Sequence, residues 1–303
     1  MKKVLFFLFL VFFSFLGGLA VVRKNTLSIL SNPLAVLEKT KTTPRFLPTS
    51  YPMKNHSFTV VMIGRNNGAW LEKALRSVFS QNYENFRMIY VDNGSSDGSF
   101  ELARDLIYDM KNLIPTEVIQ NQNPIGILEN LTRAIQTCSD QEIIVFVDGN
   151  DWLAHEWVLQ KLNQYYANPN LWLTCGQFRT YPQFNLGEIS LDLRQIKELR
   201  YHPFESFQLQ TFYASLFKKI RQSDLMEFEE YRDASFSGAF MIPMMEMAQD
   251  HFEYIPHVLY VKNSLALSEE KGEISLNFKN SIRSLSSYTP LESLFECSSG
   301  KEL

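Results

Sequence analysis

Ile143-Ile-Val-Phe-Val147 followed by Asp148-Gly149-Asn150-Asp151-Trp152-Leu153 decides how this chain is read. Five consecutive apolar residues rich in β-branched side chains read as a short strand buried on both faces, the pattern of a parallel sheet. The strand is closed at once by two carboxylates and an amide within four residues. Hard divalent cations such as Mg²⁺ or Mn²⁺ prefer such oxygens, and often share them with a substrate diphosphate. A loop whose Asp and Asn merely cap turns has the same composition. The surroundings of the stretch therefore have to choose between the two readings.

Upstream, Phe58 to Ile63 is another nearly all-apolar run, followed by the loop Gly64-Arg65-Asn66-Asn67-Gly68. Trp70, Leu71, Ala74, Leu75, Val78 and Phe79 then recur at helical spacing. Met88-Ile-Tyr-Val91 predicts a second strand, ending in the turn-rich loop Asp92-Asn93-Gly94-Ser95-Ser96-Asp97-Gly98, with a helix from about Ser99. A short strand around Glu117–Gln120, a loop through Asn123, Pro124 and Gly126, and a helix through Leu128, Leu131 and Ile135 complete the approach to Ile143. Strands alternating with helices predict a parallel α/β sheet with right-handed crossovers. Ligands of such sheets bind outside the carboxyl ends of the strands. Both acidic loops stand at such ends.

Composition narrows the class of function. The chain has 303 residues, 45% of them hydrophobic, and a net charge of -4, with no basic cluster, so nucleic acid is not the expected partner. Cys138, Cys175 and Cys297 are widely spaced, which points to neither a zinc site nor a dense disulfide framework. His56, His155, His202, His251 and His257 never pair at metal-ligand spacing. Lys2 and Lys3 precede an apolar run from Val4 to Val22, closed by Arg23 and Lys24. This is near the ~20 residues a helix needs to cross a bilayer. Gly18 and Ala20 leave a cleaved signal peptide, and hence secretion, as the alternative. Pro33, Pro44, Pro48 and Pro52 interrupt any long helix after this run and make the segment a stalk. The expected organisation is a membrane segment (1–24), a stalk (25–56), a globular domain (57–262) and a C-terminal tail (263–303). Localisation is expected at a membrane through a single pass, with the side undecided.

The order of these pieces resembles the family-2 glycosyltransferases of the GT-A fold. The pieces are Ser77-Val-Phe-Ser-Gln81-Asn-Tyr83, the Asp92–Gly98 loop, a segment with Asn123, Gly126 and Asn130, and the Asp148–Asp151 loop. The resemblance implies a Rossmann-like, mostly parallel sheet flanked by helices. It implies an inverting, non-processive transfer of one sugar from a nucleotide sugar, UDP-linked by expectation, to a glycan, lipid or protein acceptor. Carried over position by position, it implies that Ile63 and Arg65 line the base pocket. Asp92 would contact base and ribose, Asn130 would belong to the nucleotide-sugar site, and Asp148 would lie against ribose or sugar. Asp151 would ligate an Mn²⁺ or Mg²⁺ ion. The polysaccharide synthases of the family carry Gln-x-x-Arg-Trp and several spans, which are not found here, hence the expectation of a single transfer.

The chain also departs from the pattern. Arg65 stands where an aromatic is usual, and Asn93 and Asn150 stand where carboxylates are common. The family's catalytic-base position, shortly before Met241-Ile-Pro243, falls on Ser237, whose hydroxyl is too weak a base without its own activator. Asp233, four residues earlier, is the candidate replacement, with Glu229 and Glu230 beyond it and a different or absent base as the alternative. Two rivals remain: a degenerate nucleotide-sugar or glycan-binding protein on the same fold, and a nucleotidyltransferase. The second is disfavoured because no Gly-rich, basic phosphate loop comes after the first strand.

Overall fold

The computed structural model describes residues 51–110, 114–187, 200, 208–226, 237–266, 281 and 283–295. The expected membrane segment, most of the stalk, His202, Glu229, Glu230, Asp233 and Cys297 lie outside them. All the described residues belong to the unit Leu47–Leu303.

The first half has the alternation expected of it. Strand β1 (Phe58–Gly64) is buried at every position, as an all-apolar strand covered on both faces must be. Helix α1 (Gly68–Phe79) buries Leu71, Ala74, Leu75, Val78 and Phe79. Strand β2 (Phe86–Asp92), helix α2 (Ser99–Met110), strand β3 (Thr116–Gln120), helix α3 (Ile127–Gln136) and strand β4 (Ile143–Asp148) come next in turn. β1 lies between β2 and β4, parallel to both, and β2 pairs in parallel with β3.

The second half is mixed rather than parallel. β5 (Trp152–Leu153), α4 (Val158–Tyr165), β6 (Leu173–Tyr181), β7 (Asn185–Leu186), β8 (Gln208–Tyr213), α5 (Ala214–Lys218), α6 (Gln222–Met226), α7 (Ser237–Ala248) and β9 (Phe252–Asn263) complete the described elements. The sheet runs β3-β2-β1-β4-β8-β6-β9-β5, with β7 paired to β6. β8 is antiparallel to both β4 and β6, whereas β6 and β9 are parallel.

Helix α7 corrects one expectation. By sequence, the Met-rich stretch Met241–Met247 reads as the buried side of a helix with Pro243 in its first turn. Instead all twelve residues are buried and Pro243 lies inside the helix. An apolar surface all round leaves no face for solvent, so neighbours cover the helix on every side. Phe240 packs against Phe146 and Phe212 of the sheet. From the other direction the C-terminal segment bonds it: Leu291 N–H donates to the Met247 carbonyl at 2.9 Å, and Tyr288 N–H donates to Glu246 Oε2 at 2.9 Å. Arg200 grips the same carboxylate with two bonds, 2.5 and 2.8 Å, and donates to the Leu285 carbonyl at 2.9 Å. The described part of the expected tail is thus a strap on α7.

Candidate functional site

Strand order reverses at β1: the chain moves outward from it to β2 and β3, then returns to its other side with β4. The splayed loops at such a reversal open a crevice at the carboxyl ends. Register places Gly64 beside Asp92 and Ile63 beside Asp148, so the ends of β2 and β4 flank the end of β1.

The three loops are laced by close backbone approach. Gly149 N–H donates to the Ile63 carbonyl at 2.8 Å, and Asn67 Nδ2 donates to the Gly149 carbonyl at 2.7 Å. A Cβ on Gly149 would lie 2.6 Å from Asn67 Nδ2 and 2.7 Å from Gly64 Cα, so only glycine fits. Asn66, at φ 50°, offers its N–H to Ser95 Oγ (3.0 Å) and accepts from Ser96 N–H (2.9 Å). Asp97 accepts from the N–H groups of Ser99 (2.9 Å) and Gly68 (3.3 Å), holding the starts of α2 and α1 together. Burial would raise the Asp97 carboxyl, but bonds from Ser99 and Gly68 hold it below its ordinary value.

The carboxylates differ in what they face. Asp92 has no exposed surface, and both its oxygens accept bonds from Ser95, from N–H at 3.0 Å and from Oγ at 2.5 Å. It organises the loop in this conformation. Asp148 is half-buried and accepts the Asn150 N–H at 2.8 Å. Burial pushes its carboxyl up, opposed by the bond from Asn150 and by the positive charge of Lys262. Asp151 is buried, and both oxygens are engaged by β9: Tyr260 Oη donates to Oδ2 at 2.8 Å, and Asn263 N–H donates to Oδ1 at 2.7 Å. Burial, then the neighbouring Asp148, push its carboxyl up to about 8. Tyr260 Oη also accepts the Asp148 N–H at 3.2 Å, so one phenol ties the two acidic residues together.

The other expected site residues scatter. Ile63 is buried at the end of β1, and Arg65 is exposed at the tip of the next loop. Asn130 is buried; its oxygen accepts from Asn121 Nδ2 at 2.7 Å and its amide donates to the Gly126 carbonyl, so it supports the loop instead of lining it. Ser237 is buried as the first residue of α7, one turn before Phe240. Trp152, directly after the acidic loop, is buried and plugs the space beneath it. Among the described residues no three His, Cys, Asp or Glu side chains gather as a metal-holding group. Asn67, Tyr260, Asn263 and Lys262 were not anticipated. Only Tyr260 left a signal, since a buried tyrosine in an apolar strand needs a partner for its hydroxyl.

A parallel sheet with acidic loops at the reversal of strand order, extended by a mixed half, is the GT-A architecture of nucleotide-sugar transferases. The model of glycosyl transferase family 2 matches residues 59–227, and the chain belongs to that family. An uncharacterized glycosyltransferase of Haemophilus influenzae is 27% identical over 121 residues, 40% of this chain and 46% of its own length. The chain thus spans less than half of that relative. Among solved structures, residues 1–349 of S. aureus TarS superpose with a TM-score of 0.52 at 15% identity, covering 69% of this chain and 60% of that one. The mannosyltransferase PcManGT of Pyrobaculum calidifontis, solved with GDP-Man and Mn²⁺, gives 0.50 at 15% identity, covering 80% and 67%.

Proposed function

We propose that this chain moves one sugar from a nucleoside-diphosphate donor, UDP-linked in the first instance, to an acceptor hydroxyl, with inversion at the sugar carbon. The observation that carries this reading is the half-buried Asp148 beside the end of β1, at the reversal of strand order. TarS has been solved with UDP and with UDP-GlcNAc, and PcManGT with GDP-Man, on the same fold. In this reading the base lies along Ile63–Arg65, in a pocket whose wall Asp92 shapes through Ser95, and the diphosphate lies towards Asp148.

Transfer requires that the acceptor oxygen lose its proton as it attacks the sugar carbon from the face opposite the diphosphate. The bond from that carbon to the phosphate oxygen breaks, and negative charge builds on the leaving diphosphate. We assign the proton to Asp233, since the Ser237 hydroxyl cannot take it unaided. Mg²⁺ and Mn²⁺ are typically held by one or two carboxylates plus substrate phosphates. Asp148, with the amide oxygen of Asn150, fits that role; Asp151 supports from behind because β9 occupies both its oxygens. A cation bound there supplies positive charge against the diphosphate.

The test is a panel of UDP- and GDP-sugars with Mn²⁺, read by calorimetry for binding and by nucleoside-diphosphate release for turnover. Asp148→Ala is expected to abolish both, whereas Asp233→Asn abolishes turnover and leaves binding. Intact binding and turnover in Asp148→Ala overturns the site. Donor binding without turnover in the wild type favours the second reading, a binding protein on this fold, which the serine at position 237 supports. We also propose that residues 4–22 anchor the chain in a membrane. Among the described residues no helix is long and apolar enough to cross one, and this run lies outside them. Full-length chain should stay with membranes through carbonate extraction, and release by carbonate would refute the anchor.

A further inference from the structure

We propose that Lys262 is the protein's own cation for the donor diphosphate, and that Asp151 is the latch that places it. The inference rests on the donor reading of the site and adds a residue and a role to it. Lys262 is the penultimate residue of β9, half-buried, and the strand is fastened to the acidic loop on either side of it. Tyr260 donates to one oxygen of Asp151 and Asn263 N–H to the other, at 2.8 and 2.7 Å. Val261 pairs with Trp152, directly after the loop.

The register of β9 against β6 is regular from Tyr260 to Asn263, so Tyr260 and Lys262 project from the same face. That is the face on which the Tyr260 hydroxyl meets both Asp151 and the Asp148 backbone. The charge of Lys262 is felt at both carboxyls, opposing the upward push of burial. The loop offers a divalent cation a single carboxylate, that of Asp148, which is the low end of the one or two such an ion takes alongside substrate phosphates. Asn150 is an amide, and the carboxylate of Asp151 is turned away into β9. A lysine on the same face of β9 supplies fixed positive charge without needing those ligands, as a point charge suited to phosphate. Asp151 then has a use that its burial would otherwise deny it. By bonding Asn263 and Tyr260 it fixes the stretch of β9 that carries Lys262, and so sets the reach of that lysine.

The experiment measures binding of UDP and uridine, and of GDP and guanosine, to the full chain in detergent with EDTA present. The wild type should prefer a nucleoside diphosphate over its nucleoside without metal. Lys262→Met should reduce that preference about ten- to a hundred-fold, the scale of a lost charge-assisted bond. Nucleoside affinity should not change, and Lys262→Arg should keep most of the preference. Asp151→Asn, verified as folded by circular dichroism, should lower the preference in the same direction. Should Lys262→Met keep the preference, or weaken nucleoside and diphosphate equally, the lysine only neutralises the acidic pair and the proposal falls. A wild type that binds none of the four, with or without Mn²⁺, removes the donor reading and this inference together.

Discussion

Asn93 shows how far a single amide can mislead. By sequence it is a softened carboxylate, which with Asn150 and Ser237 suggests a degenerate site. In the fold it donates Nδ2–H to the Ile125 carbonyl at 2.9 Å, while its oxygen accepts from Ile125 N–H and Asn121 Nδ2, both at 3.0 Å. A carboxylate cannot make the first of these bonds and would face a carbonyl oxygen instead. Asn93→Asp is therefore expected to cost about 1–3 kcal/mol in urea unfolding, with no gain in donor affinity. An unchanged midpoint, or tighter donor binding, would restore the degenerate-acid reading. The amide is structural, and its presence says nothing against turnover. Gly94, at φ 68° with a virtual Cβ 2.8 Å from Pro124 N, is fixed by the same packing.

At the scale of elements, α1, β5 and the end of β6 meet through an aromatic cluster. Trp70 stacks on Trp152 with ring centroids 6.4 Å apart, and Tyr181 meets both edge-on. Lys73 of α1 lays its ammonium 3.6 Å from the Trp152 ring centre and 4.5 Å from that of Tyr181. Burial lowers its pKa from 10.5 to about 8. The unfolded chain therefore binds more protons than the folded one between those two values, and this group's contribution to stability rises with pH across that window. Thermal unfolding of wild type relative to Lys73→Met should show the wild type gaining from pH 8 to 10.5; a parallel pair of curves would mean that the ammonium is not buried as described. The helical spacing of α1 was legible from its apolar residues. The partner of Lys73 was not, because the rings come from positions far apart in sequence and are joined only by the sheet.

Across the whole molecule, the C-terminal strap joins segments that are remote in the chain. Arg200 and Glu246 are 3% and 9% exposed and bonded at 2.5 Å. Glu246→Gln leaves a guanidinium buried without its carboxylate, and should cost about 3–5 kcal/mol in thermal or denaturant unfolding. Replacing Arg200 and Glu246 together by Met and Leu should recover most of that loss, because the burial penalty of both charges goes with them; a double variant as unstable as the single would show that the strap depends on the pair itself. What the sequence by itself settled is the local and periodic part. Apolar runs such as Phe58–Ile63 and Ile143–Val147 are strands, the helical spacing between them makes crossovers, and the acidic loops fall at strand ends. Those features depend on neighbours along the chain, so they can be read from it. The direction in which each carboxylate points is another matter. Asp92 turns onto Ser95, Asp151 onto a strand more than a hundred residues away, and Asp148 remains half-buried at the crevice. Only tertiary packing decides this, because a buried carboxylate takes whatever donors the fold brings to it, and β9 reaches the acidic loop through the sheet.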